Sequence, residues 1–146
     1  TEQVKILYPF RQEINRGFNA VVYWISDSHV VKVPLSDQRD IGYLVRELDV
    51  QKELHGRGIS VPSPCEIVPI LLGNKPYKGL VMERIHGWSL RDHPDSGMIE
   101  AYYAEVCRAR QMGFVPKDLG AINALWDNRK SRVTLIDFDG WELNKK

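Results

Sequence analysis

The sequence has few of the features that would assign it to a membrane or to a secreted class. It has only two cysteines, Cys65 and Cys107, and their spacing matches no metal-binding motif. We therefore expect both to be buried thiols in the reducing cytoplasm; a disulfide between them is an alternative that no pattern supports. The longest apolar runs, such as residues 67–73, are too short to span a bilayer. The first residues have no basic segment followed by an apolar stretch, so we expect no signal peptide.

Charge and length also exclude some classes of function. Lys and Arg total 20 against 19 Asp and Glu, so the net charge is only +1. With this balance we expect neither nucleic acid nor a membrane surface as a partner. A chain of 146 residues with 43% apolar residues can bury one core. The composition therefore favours a single globular domain.

The first half of the sequence is dominated by strand signals. Apolar runs on either side of a Ser-Asp-Ser turn predict a hairpin over residues 20–25 and 29–33. Two further strands are expected at 66–72 and 78–83, joined by a Gly-Asn-Lys-Pro turn. Between these pairs, apolar residues at helical spacing predict a helix that begins at Asp37 or Asp40 and ends near Gly56.

The second half is expected to contain more helix. One helical turn is predicted at 89–93, a helix at 96–112 and short strands at 124–126 and 133–136. The long helix should end at Gly113 and bury Ile99, Tyr102, Tyr103, Val106 and Cys107. The fold class is therefore α+β, with an antiparallel sheet and one helix over residues 1–84 and a reduced helical part over residues 85–146. The hinge between them is expected near residues 83–87.

Two segments late in the sequence contain carboxylates at a spacing typical of phosphoryl transfer. Asp118 is followed by Asn123 in the pattern Asp-x4-Asn, and Asp137 and Asp139 end the apolar segment Leu-Ile-Asp-Phe-Asp. Together they resemble the catalytic half of the protein-kinase-like superfamily, which includes bacterial small-molecule kinases. The resemblance implies that Asp118 takes the proton of an acceptor hydroxyl and that Asn123 and Asp137 hold magnesium. Asp139 replaces the family's glycine, and would be an extra metal ligand or would repel the phosphates.

The same resemblance implies a nucleotide site formed by strand and hinge residues. Only Gly17 remains of the family's glycine-rich phosphate loop. Adenine would lie against the hinge, where the carbonyl of Glu83 and the amide of Ile85 would bind its edge. The residues expected to contact the nucleotide are Asn15, Gly17, Val22, Val30, Lys32, Met82, Glu83, Ile85 and Leu125.

Lys32 ends the segment Val-Val-Lys, which is similar to the strand that carries the family's phosphate-binding lysine. Its helix partner would be Glu47, with Glu53 as the alternative. The family's His-Arg-Asp is Pro-Lys-Asp here, so the histidine that braces the catalytic loop is missing, while Lys117 keeps a cation beside the base. Gly120 stands where many protein kinases have a lysine, so the contact to the transferred phosphate is expected to be absent unless Lys117 or another group supplies it. Trp141 is expected to pack against the end of the chain.

These expectations describe a minimal kinase-fold protein that binds ATP and magnesium, with manganese as the alternative, in the cleft between its two lobes. It would transfer the γ-phosphoryl group to a hydroxyl of a small molecule or of its own chain, since no activation segment follows Asp139 to hold an extended peptide. A second copy or a protein partner would complete the short second lobe. The first alternative is a pseudokinase, a nucleotide-binding or regulatory module without catalysis. The second is an unrelated α+β domain with a chance resemblance.

Overall fold

The computed structural model describes residues 4–6, 13–16, 20–34, 42–72 and 74–144. Gly17 and the expected helix starts, Asp37 and Asp40, lie outside the described residues, as do the side chains of Asn15 and Cys65. The chain divides into unit 1, Thr1–Leu48 with Pro64–Arg84, and unit 2, Asp49–Ser63 with Ile85–Lys146. One boundary falls at the expected hinge, whereas residues 49–63, expected in the first lobe, belong to unit 2.

Unit 1 contains a mixed six-stranded sheet in the order β1-β5-β6-β4-β3-β2. Its neighbours are antiparallel except for β1 and β5, which run parallel. The first helix, α1, begins in unit 1 and continues into unit 2. The bounds are β1 Val4–Ile6, β2 Glu13–Arg16, β3 Ala20–Trp24, β4 His29–Pro34, α1 Gly42–Gly56, β5 Pro64–Leu72 and β6 Lys75–Glu83.

The alternation of side chains along β3, β4 and β6 gives this sheet two apolar faces. Paired residues of an antiparallel sheet share a face. One face buries an aliphatic and aromatic cluster formed by strands alone: Val21, Tyr23, Val31, Val33, Val68, Ile70 and Val81. The other face packs against the first half of α1, through Val30, Leu80 and Met82 on the sheet and Leu44 and Leu48 on the helix. Only side chains on the face of the sheet that α1 covers can therefore contact the polar side chains of this helix.

Unit 2 contains a helix and two small antiparallel sheets, with strand orders β10-β9-β7 and β11-β8. Its core joins the second half of α1 to the strands through buried residues that include Leu54, Tyr102, Val106, Phe138 and Trp141. The bounds are β7 Gly87–Ser89, α2 Ser96–Gln111, β8 Phe114–Val115, a 3-10 turn Ala121–Asn123, β9 Ala124–Asp127, β10 Arg132–Leu135 and β11 Glu142–Leu143. Neither α1 nor α2, in the described part of the chain, has the length and apolar character needed to cross a membrane.

Helix α2 has clear end signals, but its buried face is narrower than expected. Asp95 caps its start, because the side chain accepts a hydrogen bond of 2.9 Å from the amide of Met98. The buried residues are Tyr102, Val106 and Ala109, which form one stripe at helical spacing. The prediction that Tyr103 and Cys107 are buried was wrong: both are exposed, because each is rotated about 100° away from that stripe.

Short strands account for the other differences from the sequence-based expectations. The predicted helical turn at 89–93 is present as one hydrogen-bonded turn, in which the amides of Asp92 and His93 donate to the Ser89 carbonyl; its first residue, Ser89, is also the last residue of β7. Lys75 and Pro76, expected in a turn, begin β6. Periodicity cannot reveal strands of two or three residues, so β7, β8 and β11 were not predicted.

Gly87 allows β7 to lie against β9, and replacing it should break this pairing. A Cβ atom at Gly87 would overlap the Trp126 carbonyl oxygen. We expect Gly87→Ala to destabilise the protein by at least the roughly 1–3 kcal/mol typical of overpacking. Gly56→Ala is the control, since a Cβ there meets nothing within 4 Å. Urea unfolding of both variants tests this, and equal stability would contradict the close approach of the two strands.

Candidate active site

The polar centre of unit 1 is an ion pair between Lys32 of β4 and Glu47 of α1. The Lys32 ammonium donates to both carboxylate oxygens, at 2.9 and 2.8 Å. Both side chains are largely shielded from water, with 11% and 2% of their surfaces exposed. Glu53, the alternative partner, instead lies 3.3 Å from Arg57 and is half exposed. Lys32 points toward α1 because its neighbours Val31 and Val33 occupy the opposite face of the sheet.

Several of the residues expected at the nucleotide lie beside this pair on the helix-covered face. The register places Val22, Lys32 and Leu80 in one row across three strands. Trp24, Val30 and Met82 form the next row. Val30, Leu80 and Met82 are buried there, and Val22 and Trp24 pack against them. Leu80 and Trp24 were not expected at the site. The strand register places them there, because Leu80 is paired with Lys32 and Trp24 is paired with Val30.

Arg84 fixes the backbone at the end of β6, where the hinge was expected. Its amide donates to the Ser28 carbonyl at 2.9 Å, and its guanidinium lies 3.5 Å from the centre of the Trp24 ring. Asp27 adds a carboxylate at 3.7 Å from the guanidinium. Trp24 is therefore half-buried under a cation, an arrangement that the strand pattern did not indicate. A contact between the Ile85 amide and adenine requires that this amide be available as a donor. Within the described part of the chain, the amide of Ile85 donates no hydrogen bond.

In unit 2 the Asp-x4-Asn segment forms a hydrogen-bonded loop. The Asn123 side-chain amide donates to the Asp118 carbonyl, and the Asn123 backbone amide donates to the Gly120 carbonyl at 2.9 Å. The Gly120 amide donates to the hydroxyl of Tyr102 at 3.3 Å. Asp118 itself is exposed, at a φ of 53°. The spacing of the motif thus closes a loop that presents a carboxylate to solvent.

Asp137 leaves the end of β10 beside that loop. The Ile136 amide donates to the Asn123 carbonyl at 3.1 Å, so the residue before Asp137 is tied to the predicted metal ligand Asn123. Asp137 has a φ of 61°. Left-handed backbone is uncommon at residues other than glycine and tends to occur at functional sites. Of the three such residues in the described chain, two are the predicted base, Asp118, and the predicted metal ligand, Asp137.

Lys117 and Leu125 complete the set of predicted residues in unit 2. Lys117 is exposed, and a Cβ atom at Gly140 would lie 3.4 Å from its Cδ, so its stem runs over the turn after Asp139. Leu125 is half-buried in β9, paired with Ser89 on one side and Thr134 on the other. Both therefore lie in unit 2, as the two aspartates do: Leu125 in a short strand, and Lys117 in the connection that also carries Asp118.

The oxygen donors here suit a hard cation such as magnesium. Asn123 offers an amide oxygen, Asp137 a half-buried carboxylate and Asp139 an exposed one. Within the described ranges no group of three or more His, Cys, Asp or Glu side chains is placed to share a metal ion. Magnesium needs no such group, because one or two carboxylates commonly hold it together with substrate phosphates and water. Asn123 and Asp137 are therefore suited to a magnesium ion that is also bound by nucleotide phosphates, and less suited to one held by protein ligands alone.

Tyr102 and Trp141 are site residues that sequence reasoning did not identify. Tyr102 is buried in α2, and this burial raises the pKa of its phenol above the ordinary value of about 10, although the Gly120 amide opposes the shift. Trp141 is buried, and its indole donates to the Lys117 carbonyl at 3.0 Å. The sequence shows only that these residues are aromatic. Their hydrogen-bond partners could not be predicted, because turns of the chain in unit 2 bring together residues that are far apart in sequence.

Comparisons with known proteins add no assignment to this geometry. No family model matches the sequence. A search of curated proteins finds no match either. The function must therefore follow from the residues and their arrangement.

Removing one partner of the Lys32–Glu47 pair should destabilise the fold strongly. Lys32→Met leaves the buried Glu47 carboxylate without its ammonium, a change that typically costs about 3–5 kcal/mol. The double variant with Glu47→Leu replaces both charges by apolar groups and should recover most of the loss. Urea unfolding of the wild type, the single variant and the double variant tests this. A single variant as stable as the wild type would contradict a buried, coupled pair.

Tyr102→Phe should lower stability by roughly 0.5–1.5 kcal/mol at neutral pH, because the Gly120 amide loses its acceptor. The folded phenol has a raised pKa, so the unfolded chain loses this proton first as the pH rises past about 10. The stabilisation is therefore complete below pH 10 and declines above it, and the gap between the two proteins should narrow there. Thermal unfolding across this range tests the sign. Tyr103→Phe, an exposed neighbour, is the control and should change little.

Proposed function

We propose that this protein binds ATP with magnesium and transfers the γ-phosphoryl group to a hydroxyl acceptor. The proposal rests above all on the loop of unit 2, where hydrogen bonds join the segments of Asp118, Asn123 and Asp137 and both aspartates have left-handed backbone. The Lys32–Glu47 pair of unit 1 supports it independently. We also propose that the α+β architecture is a protein-kinase-like fold, with a sheet and one glutamate-bearing helix before the hinge.

In this proposal the lysine of unit 1 binds the phosphates of the nucleotide. Glu47 holds the Lys32 ammonium with two hydrogen bonds and keeps it oriented. Val22, Val30 and Met82 provide the apolar surface for the base, and the hinge amide of Ile85 donates to its edge. Electrostatic positioning of this kind is the main contribution that a protein makes to phosphoryl transfer.

Asp118 is the proposed base. As the acceptor oxygen bonds to the γ-phosphorus, the bond from that phosphorus to the bridging oxygen of ADP breaks, and the hydroxyl proton passes to the Asp118 carboxylate. A carboxylate is sufficient, because the transition state is loose and needs orientation more than a strong base. The exposure of Asp118 leaves room for an acceptor, and Lys117 places a cation next to it in the chain. A small molecule or a hydroxyl of the protein itself is the proposed acceptor.

Asn123 and Asp137 would hold the magnesium ion, with Asp139 as an additional ligand and manganese as an alternative metal. The ion would neutralise negative charge on the phosphate oxygens. The contribution of the protein is to hold the ligand side chains in place: the backbone of Asn123 is bonded to both Gly120 and Ile136, and Phe138 is buried directly after Asp137. The metal ligands are thus anchored on both sides of the hairpin formed by β9 and β10.

The proposal is tested by thermal unfolding with ATP, with and without magnesium. A ligand that binds only the folded protein at 100 times its Kd adds about 2.7 kcal/mol, which raises the midpoint by several degrees. We expect a magnesium-dependent rise in the wild type that Asp137→Asn removes. Asparagine tolerates left-handed backbone, so this variant changes the charge without changing the conformation. Asp92→Asn, an exposed aspartate elsewhere in unit 2, is the control.

Asp118→Asn separates binding from transfer. It should keep the magnesium-dependent rise but lower the consumption of ATP by about 100-fold or more, the usual contribution of a positioned base. A wild type without any rise, or with a rise indifferent to magnesium and to Asp137, would contradict the proposed function. A rise with no phosphoryl transfer would instead support a nucleotide-binding module without catalysis.

A further inference from the structure

The segment that carries Asp118 lacks the histidine that the sequence resemblance places before such an aspartate; Pro116 stands there instead. Its backbone nevertheless adopts a disfavoured conformation, which persists only where the surroundings hold it. The question is which contacts do so. The hydrogen bond from Asn123 holds the carbonyl of Asp118 from one side. On the other side, the carbonyl of Lys117 accepts a hydrogen bond from the indole of Trp141.

Trp141 also contacts the segment of the second aspartate. Its ring meets the ring of Phe138 edge to face, with centres 5.2 Å apart and planes at 87°. Phe138 follows Asp137, and Lys117 precedes Asp118. A single side chain, only 5% exposed, therefore bonds to the residue before the proposed base and packs on the residue after the proposed metal ligand. Among the described residues no other side chain is seen to make both contacts.

The position of Trp141 is itself set by backbone contacts. Gly140, at a φ of 79°, reverses the chain after Asp139, and the Trp141 amide donates to the Phe138 carbonyl at 3.1 Å. The chain then pairs with β8, Glu142 opposite Val115 and Leu143 opposite Phe114. The indole is thus presented to Lys117 by a strand that runs antiparallel to the segment leading into Asp118. A buried indole N–H needs an acceptor, so the direction of the ring is specified as well.

We propose that Trp141 is a positioning residue for phosphoryl transfer: through its hydrogen bond to the Lys117 carbonyl it holds Asp118 in the orientation that accepts the proton. It would take the place of the missing histidine in holding the segment of Asp118, although it follows Asp139 in the sequence instead of preceding Asp118. This inference rests on the proposed function. It adds that the turn after Asp139 belongs to the catalytic apparatus although none of its side chains touches the reacting atoms.

Trp141→Phe tests the inference, because it keeps an aromatic ring against Phe138 and removes the indole donor. Trp126→Phe is the matched control: Trp126 packs against the same core, and its indole makes no hydrogen bond to a described residue. With ATP and magnesium, and water or the protein itself as acceptor, we expect Trp141→Phe to lower kcat by about 10- to 100-fold with KM for ATP nearly unchanged. The magnesium-dependent rise in the unfolding midpoint should remain.

Hydrogen exchange gives a second measure that does not depend on activity. Amides of residues 117–123 should exchange faster in Trp141→Phe than in Trp126→Phe at matched global stability, because the loop opens locally. Equal exchange in the two variants, or an equal fall in kcat, would overturn the inference while leaving the proposed function intact. A rise in KM with no change in kcat would overturn it too. No ATP consumption by the wild type would overturn the proposed function, and the catalytic role of Trp141 with it.

Discussion

Left-handed backbone at Asp118 and Asp137 is the constraint on which the arrangement of unit 2 depends. The Cβ atom of an L-residue makes this conformation unfavourable, so each aspartate must be held by its surroundings. The side-chain hydrogen bonds of Asn123, Tyr102 and Trp141 all fall on peptide groups at or near Asp118. Beside Asp137, the Ile136 amide donates to the Asn123 carbonyl. Helix α2 supplies the acceptor, which is the Tyr102 hydroxyl. The 3-10 turn supplies one donor, the Asn123 side-chain amide, and the final reversal of the chain supplies the other, the Trp141 indole. The short strands of unit 2 thus serve to bring three side chains to one loop.

In unit 1 the corresponding feature is a charge pair inside an otherwise apolar face. A buried ion pair is seldom more stable than apolar residues of the same size, because both charges lose their hydration. Folding stability therefore gives a weak reason for Lys32 and Glu47 to lie among Val30, Leu44 and Leu80. The phosphate binding that we propose would give a stronger one, since a lysine held on a rigid strand presents its charge at little entropic cost. In that proposal, the pair and its apolar surroundings together form the phosphate site of unit 1.

Sequence patterns were sufficient for the parts of the fold that have a clear period. Strands β3 and β4 and helix α2 lie within one or two residues of their expected bounds, because alternation and helical spacing persist over several residues there. The start of β6 and the buried face of α2 were predicted less accurately, since turn propensity and apolar character do not decide which residues pair or pack. The Lys32–Glu47 contact agrees with the expected pairing. The contacts of Tyr102, Trp141 and Arg84 could not be predicted, because they join residues far apart in sequence through strands too short to recognise.

The stacking of Arg84 on Trp24 makes the end of β6 accessible to spectroscopy. Of the four tryptophans in the sequence, only Trp24 belongs to unit 1, while Trp88, Trp126 and Trp141 belong to unit 2. A guanidinium 3.5 Å from an indole face gives that indole an environment unlike those of the other three. The fluorescence of Trp24, isolated by subtracting the signal of a variant that lacks it, therefore reports on unit 1 alone. The chain therefore contains its own optical probe beside Arg84, the last residue of unit 1.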